Sequence, residues 1–297
     1  MESRARRTIL PELLLALLLA TVLACGGETP TDEGDAADAD YAERMSTEHE
    51  GDTPDASEAT DGAPTAAEVV TEEVVYANLD GRDVTGYLAR PADAEADGPA
   101  VLVIQEWWGL NDNIRAMARK LAGEGYTALA VDLYEGQVAE DRDGARALVT
   151  AAMEKADELA DNLRQAHGYL ESQGAMSIGS IGWCFGGGWS LETALMLGND
   201  LDAAVIYYGR VKTEASELEP LTAPVLGIFG AEDQGIPVDG VRAFEAALGE
   251  LGKTASIHVY EGADHAFANP SGTRYQAEAA EDAWAKTLAF FAEHLGG

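Results

Sequence analysis

Residues 178–188 read Ile-Gly-Ser-Ile-Gly-Trp-Cys-Phe-Gly-Gly-Gly, and this stretch decides the fold. A short β-prone run ends in a Gly-x-Cys-x-Gly turn, and a helix-compatible segment, 189–197, follows at once. The pattern predicts a nucleophile elbow, a sharp strand-to-helix turn that holds a reactive side chain in a strained backbone conformation above a sheet. Gly182 and Gly186 stand two residues either side of Cys184, where a Cβ would collide with the reversed chain. Serine is usual at the centre of such a turn, so the cysteine needs a reason.

Alternating strand-like and helix-like segments surround this turn. Two β-prone runs joined across Asp80-Gly81 predict a hairpin near the start of the domain. Apolar runs of strand length follow, at 100–104, 126–131, 203–208, 225–229 and 256–260. Helical segments lie between or after them, at 111–122, 141–153, 154–172, 237–251 and 275–294. The alternation predicts an α/β fold, a mostly parallel, doubly wound sheet with helices on both faces. Ligands bind at the carboxyl ends of the strands in such a sheet.

Three reactive residues follow predicted strands in the order nucleophile, acid, histidine: Cys184, Asp233 and His265. This is the chain order of the α/β-hydrolase fold. Because a thiol is a good nucleophile only as thiolate, His265 would take its proton and later return one to the leaving group. Asp233 would orient His265, and the neighbouring Glu232 is the alternative for that role. The other histidines are expected outside the site, three in surface loops and one in a strand: His49, His167, His294 and His258.

Further site residues follow the strand ends. The backbone N–H groups of Trp107 and Phe185 are candidates for an oxyanion hole. Glu106 stands between an apolar strand and a tryptophan pair, an uncomfortable place for an unpaired charge, which indicates function. Aromatic side chains would form a pocket for a small apolar or aromatic acyl group: Trp107, Trp108, Tyr134, Phe185 and Phe267.

Composition and charge exclude other kinds of function. The 297 residues carry a net charge of -34 with 19 basic residues, so the surface would repel nucleic acid. No His or Cys pair has metal-ligand spacing, and the glycine run lacks the dinucleotide and phosphate-loop fingerprints. We therefore expect neither a metal nor a cofactor.

The N-terminus has the pattern of an export signal. Basic residues precede the apolar run 13–20, which is too short for a comfortable membrane span and of the right length for a signal peptide. The run ends at Val22-Leu23-Ala24-Cys25, which resembles a bacterial lipobox. Residues 1–24 would be a lipoprotein signal peptide, and Cys25 would carry lipid; an ordinary signal peptide is the alternative. The protein would be exported and held on a bacterial membrane, on the periplasmic or cell-surface side, only through that lipid.

Residues 25–70 would link the lipid to the folded domain. They are rich in Asp, Glu, Thr, Ala, Gly and Pro, with Arg44 the only basic residue and Tyr41 the only aromatic one before residue 70. Such a segment buries too little apolar surface to offset the entropy of ordering, so we expect a disordered acidic tether. The domain itself would span 71–297.

Several motifs together resemble the dienelactone hydrolase family. They are Gln105-Glu106-Trp107-Trp108-Gly109-Leu110-Asn111, Asp132-Leu133-Tyr134, Gly182-Trp183-Cys184-Phe185-Gly186-Gly187, Tyr207-Tyr208-Gly209 and His265-Ala266-Phe267, in the family's order. The resemblance implies hydrolysis of an ester or lactone through a thioester, by Cys184, His265 and Asp233. It also implies that Glu106 contacts the resting thiol and helps to generate the thiolate when substrate arrives, which would limit oxidation of the cysteine.

The chain departs from that family at two arginines. Dienelactone hydrolase proper holds the substrate carboxylate with one arginine shortly after the Asp-Leu-Tyr segment and one just after the His-x-Phe segment. Here those places read Glu135-Gly136-Gln137 and Ala268-Asn269-Pro270. The family's own substrate is therefore not implied. Arg210 could supply a substitute cation, or it could be a solvated loop residue.

The sequence thus predicts a hydrolase of small esters or lactones that uses a Cys-His-Asp triad. One alternative is a non-catalytic surface lipoprotein that keeps the hydrolase fold to bind a ligand or partner. Another is a thiol redox sensor, which the absence of a resolving cysteine disfavours.

Overall fold

The computed structural model describes residues 32–55, 67–94 and 97–296. Its strands are β1 (Val69–Leu79), β2 (Arg82–Pro91), β3 (Ala100–Ile104), β4 (Thr127–Ala130), β5 (Ile178–Trp183), β6 (Ala203–Tyr207), β7 (Val225–Gly230) and β8 (Ala255–Tyr260). Its α-helices are α1 (Asp32–Glu48), α2 (Asp112–Gly123), α3 (Arg142–Met153), α4 (Ala156–Ser172), α5 (Phe185–Leu197), α6 (Ala215–Leu218), α7 (Val238–Glu250) and α8 (Ala277–His294).

The eight strands form one sheet in the order β1-β2-β4-β3-β5-β6-β7-β8. The β1–β2 hairpin and the β2–β4 pair are antiparallel, and all other pairs are parallel. Every residue of β3, β5, β6 and β7 is buried, as expected for strands covered on both faces. The predicted α/β class and mostly parallel sheet are confirmed.

Side-chain caps explain why two of the predicted helices begin where they do. The Oδ1 atom of Asn111 accepts a hydrogen bond from the Ile114 N–H at the start of α2. The Oδ1 atom of Asp141 accepts one from the Gly144 N–H at the start of α3. Each cap satisfies a backbone donor that the first helical turn leaves unpaired.

The structure differs from the expected disordered tether over residues 32–55. Residues 32–48 form α1, and Tyr41, Met45 and His49 are buried, with relative exposures of 2%, 0% and 0%. These three side chains recur every four residues, so they lie on one helical face and pack into the domain. The composition predicted disorder because the segment has few apolar residues. The segment is nevertheless folded because these few side chains are buried against the rest of the domain.

Polar contacts hold residues 43–54 of this segment on the domain. An Arg142 Nη1 atom donates to the Ser46 carbonyl oxygen at 2.9 Å, and Arg146 pairs with Glu43 at 2.9 Å. The Asn111 side chain donates to the Pro54 carbonyl oxygen at 2.9 Å. Among the described residues, no helix has the length and apolar character needed to cross a membrane. The predicted signal peptide and Cys25 lie outside the described residues.

Candidate active site

Cys184 lies between β5 and α5 with φ 53° and ψ -117°, a conformation that non-glycine residues rarely adopt. The glycines around it are sterically required, as predicted. A Cβ on Gly182 would lie 2.0 Å from the Gly186 carbonyl oxygen, and one on Gly186 would lie 2.4 Å from the carbonyl oxygens of Gln105 and Ile104. The turn therefore presses the start of α5 against the end of β3.

Asp233 and His265 meet at the carboxyl ends of β7 and β8. His265 Nδ1 lies 2.7 Å from Asp233 Oδ2, and both side chains are fully buried. Asp233 Oδ1 accepts a second hydrogen bond from the Ile236 N–H at 2.7 Å. Burial alone would raise the pKa of Asp233, but the charge and hydrogen bond of His265 lower it below its usual value. Glu232, the alternative partner, is exposed, so the geometry selects Asp233.

The pKa of His265 shifts the other way. Burial favours the neutral ring, but the neighbouring Asp233 and Cys184 raise the pKa of His265 well above its usual value. Its Nε2 atom has no hydrogen-bond partner among the described residues. A ring nitrogen of His265 and the Cys184 sulfur lie within 4.8 Å of each other. A protonated His265 is therefore held by Asp233 on one side and faces the thiol on the other.

The environment of Cys184 favours the thiolate. Burial would raise the pKa of the thiol, but His265 and then His49 outweigh burial and lower it to about 6. Two atoms of the N-terminal segment touch the sulfur: His49 Nε2 and Met45 Sδ each lie 3.6 Å from it.

His49 is a site residue that the sequence analysis missed, since it was expected in a surface loop. Its Nδ1 atom lies 3.0 Å from Asp52 Oδ2, and its ring stacks on Trp107 with centroids 4.4 Å apart. The burial of His49 could have been predicted from the helical spacing of Tyr41, Met45 and His49.

The structure also places the other three histidines. His167 was expected in a surface loop and is buried in α4, His258 lies in β8 as expected, and His294, also expected in a loop, is the last residue of α8.

Glu106 is buried just after β3. Burial raises the pKa of Glu106 to about 7; His49 opposes this shift and the Cys184 thiolate adds to it. Its Oε2 atom accepts a hydrogen bond from Asn269 Nδ2 at 2.9 Å, and Oε1 has no hydrogen-bond partner among the described residues. The contact with the resting thiol that the resemblance implied is made by His49 in this structure. Asn269 belongs to one of the two segments in which the resemblance would place a substrate-binding arginine.

The two oxyanion-hole candidates lie where the sequence placed them. Trp107 follows β3, and Phe185 is the first residue of α5, whose N–H has no intrahelical acceptor by position. The Trp107 ring is fully buried between His49 and Trp108.

Of the predicted pocket residues, Trp107, Trp108, Tyr134 and Phe267 are buried. Arg210 lies beside a cavity of about 490 Å³, with its guanidinium 5.7 Å from the Tyr41 ring centroid. Phe185 and Tyr41 also line this cavity. Tyr41 interacts with Cys184 and also lines this cavity, so its side chain lies between Cys184 and the cavity.

Within the part of the chain that the structure describes, His49, Cys184 and His265 bring side-chain atoms of metal-binding type within 4.8 Å of one another. The expectation of no metal rested on ligand spacing along the chain. That reasoning does not detect ligands from distant segments that converge in space.

The sequence profile described as "Dienelactone hydrolase family" matches residues 84–295. The chain belongs to this family. A relative from Saccharolobus solfataricus, named "Putative carboxymethylenebutenolidase", is 33% identical over 257 residues, covering 74% of this chain and 97% of the relative. A relative of the same name from Escherichia coli (strain K12) is 33% identical over 230 residues, covering 73% and 84%.

A solved structure described as "Putative Dienelactone Hydrolase from Klebsiella pneumoniae" has a TM-score of 0.70 and 32% identity to this chain. It covers 76% of this chain and is itself covered completely. Membership of the dienelactone hydrolase family confirms the predicted hydrolase class, an enzyme of carboxylic esters or lactones on an α/β-hydrolase fold.

Proposed function

We propose that this dienelactone hydrolase-like enzyme cleaves a small ester or lactone through a thioester on Cys184, with His265 and Asp233 completing the triad. The observation that carries the proposal is the 2.7 Å contact between His265 and Asp233 beside a cysteine at a strained elbow. The strain and the buried ion pair each cost free energy, and such features cluster at catalytic sites.

The first half of the reaction forms the thioester. The Cys184 thiolate attacks the carbonyl carbon, and the carbonyl electron pair moves to oxygen, which the N–H groups of Trp107 and Phe185 stabilise. The intermediate then collapses: the bond from carbon to the leaving oxygen breaks, and protonated His265 donates its Nε2 proton to that oxygen. The acyl group remains on the sulfur, and His265 is neutral.

The second half releases the acid. Neutral His265 removes a proton from water, and the oxygen of that water bonds to the thioester carbon. When the C–S bond breaks, Cys184 leaves as thiolate and His265 is protonated again. The net change is the addition of one water molecule across the ester, and no electron acceptor is needed.

The substrate class follows from the lining of the site. The name carboxymethylenebutenolidase, borne by the two relatives, denotes an enzyme of a butenolide, which is a lactone. Buried aromatic rings around Cys184 favour a small apolar or aromatic acyl group, and the absence of both family arginines removes the expected carboxylate partners. Arg210, beside the cavity next to Tyr41, is the cation that an anionic substrate would meet.

Replacing Cys184 with alanine tests the function. We expect C184A to lose turnover of short aryl esters, and wild-type protein to trap an acyl label on Cys184 detectable by mass spectrometry. Cys25 is the only other cysteine, so C25A is the matched control and should keep both properties. Undiminished turnover by C184A would refute the proposal. Ligand binding without turnover in wild-type protein would favour the non-catalytic alternative.

We propose in addition that the protein is exported and lipid-anchored through Cys25, as the lipobox-like pattern suggests. Expression of the full chain in a bacterium, followed by membrane fractionation, tests this. C25A should move from the membrane to the soluble fraction; equal membrane recovery of both proteins would contradict the proposal.

A further inference from the structure

The imidazole that touches the Cys184 sulfur does not come from the hydrolase triad. His49 Nε2 lies 3.6 Å from the sulfur, whereas the Nε2 atom of His265 has no hydrogen-bond partner among the described residues. His49 belongs to the segment that precedes the first strand and lies outside the family match of residues 84–295.

His49 is oriented in the same way as the triad histidine. A carboxylate, Asp52, holds its Nδ1 atom at 3.0 Å, and the two side chains are 0% and 2% exposed. Asp52 is fixed in turn by the Thr273 N–H at 2.7 Å and the Thr273 hydroxyl at 2.8 Å. A carboxylate on Nδ1 fixes the ring so that Nε2 points at the reacting group.

The packing of the ring leaves its position little freedom. Trp107 stacks on one face of His49 at 4.4 Å, and the His265 ring meets it edge-on at 5.2 Å. An imidazole held by a carboxylate, an indole and a second imidazole is ordered before substrate arrives, which is the condition for effective catalysis.

We propose that His49 is a second catalytic imidazole, contributed by residues 40–55, that takes the thiol proton of Cys184 and keeps the sulfur as thiolate. The inference rests on the proposed function and divides its proton transfers between two histidines. The S–H bond breaks, the proton moves to His49 Nε2, and the electron pair stays on the sulfur. His265 is then free to protonate the leaving oxygen and to remove a proton from water, and each proton is accounted for.

Asp52 supports this role in charge terms. Burial lowers the pKa of His49, but the hydrogen bond that its ring donates to Asp52 and the neighbouring Cys184 raise the pKa above its usual value. The titratable side chains that interact with the sulfur are Tyr41, His49, Glu106, Tyr134, Tyr208 and His265. The two histidines favour the thiolate, whereas an ionised carboxyl at Glu106 disfavours it.

The titration of Cys184 in single variants tests the proposal. Full-length protein labelled with ¹³C at cysteine Cβ reports the charge of the sulfur by NMR, and C184S assigns the signal against that of Cys25. In H49Q, we expect the midpoint of the Cys184 titration to rise above about 6, because one of the two histidines that favour the thiolate is lost. In H265Q, which removes the larger contribution, we expect a greater rise that stays below the ordinary thiol value of about 8.5 because His49 is still present.

Activity gives the second measurement. General acid–base groups contribute about 10²-fold or more, so H49Q should lower kcat/KM for an aryl ester at pH 7 by about 10². H294Q changes a histidine at the end of the last helix and is the matched control; its kcat/KM should be unchanged. D52N keeps the imidazole but removes its carboxylate partner, so it should shift the thiol titration in the same direction as H49Q, even if H49Q folds poorly.

Two results would overturn the inference. An unchanged Cys184 titration in folded H49Q and D52N would show that His49 does not hold the thiolate. A rise in kcat/KM in H49Q would show that residues 40–55 obstruct the site. Neither result touches the proposed function, which fails only if C184A keeps its turnover.

Discussion

The Nε2 atom of His49 lies 3.6 Å from the Cys184 sulfur, although 135 residues separate the two in the chain. This contact links an N-terminal segment whose composition predicts disorder to the strained turn at Cys184. The nucleophile consequently faces two imidazoles, each held by a carboxylate: His265 by Asp233 and His49 by Asp52.

Alanine substitutions in the turn should show which of its glycines are required because a Cβ would not fit. A Cβ on Gly182 would lie 2.0 Å from a backbone oxygen, so G182A should cost about 3 kcal/mol and lower the Tm by roughly 6–12 °C. At Gly188 the nearest contact would be 3.5 Å, an ordinary distance, so G188A should leave the Tm unchanged or slightly raised. Thermal unfolding followed by circular dichroism checks both, and an equal loss in the two variants would contradict the steric explanation.

The choice between the two neighbouring acids is testable by charge removal. D233N would keep the size of the side chain but favour the wrong tautomer of His265, so kcat should fall by about 10³–10⁴. E232Q alters an exposed side chain beside it and should leave kcat within about twofold. Steady-state ester hydrolysis at pH 7 is the measurement. A larger loss in E232Q than in D233N would reverse the assignment.

The pH dependence of the reaction should report the thiol. Because the histidines lower the pKa of Cys184 to about 6, the thiolate fraction, and with it kcat/KM, should rise as the pH increases through about 6 and then level off. The same shift favours the folded state at alkaline pH. This stabilisation is complete above the unfolded thiol pKa and is lost as the pH falls through about 6. A profile that rises only above pH 8 would show an ordinary thiol.

The Met45 side chain should limit the access of reagents to the Cys184 thiol. Its Sδ atom lies 3.6 Å from the Cys184 sulfur and its side chain is fully buried, so M45A should open a space beside the nucleophile. Alkylation of Cys184 by iodoacetamide, followed by mass spectrometry, should become at least about tenfold faster. M176A is the control, because Met176 is 79% exposed and should leave the rate unchanged. An unchanged rate in M45A would mean that the reagent reaches the sulfur by another route.

Local patterns were sufficient for most of the domain. A strand buried on both faces must be apolar throughout, so 100–104 was visible in the sequence and is β3 in the structure. Asp233 and His265 were found from their positions after predicted strands, since residues that follow parallel strands meet at one edge of the sheet.

Long-range packing explains what was missed. The sequence pattern placed His49 in a surface loop because a segment with so few apolar residues cannot order itself. Its burial depends on Trp107 and Asp52, and Asp52 depends on Thr273 near the other end of the chain. Trp107 and Thr273 lie outside residues 40–55, so no pattern within that segment could show them.

The sequence by itself determined the α/β sheet, the turn at Cys184 and the chain order of the proposed triad, because each depends on local sterics or on strand order. Only the tertiary structure decided which groups touch the sulfur. Those contacts join segments far apart in the chain, and their energies arise from burial and charge that exist only after folding. For this reason Glu106 is hydrogen-bonded to Asn269 while His49 lies against Cys184.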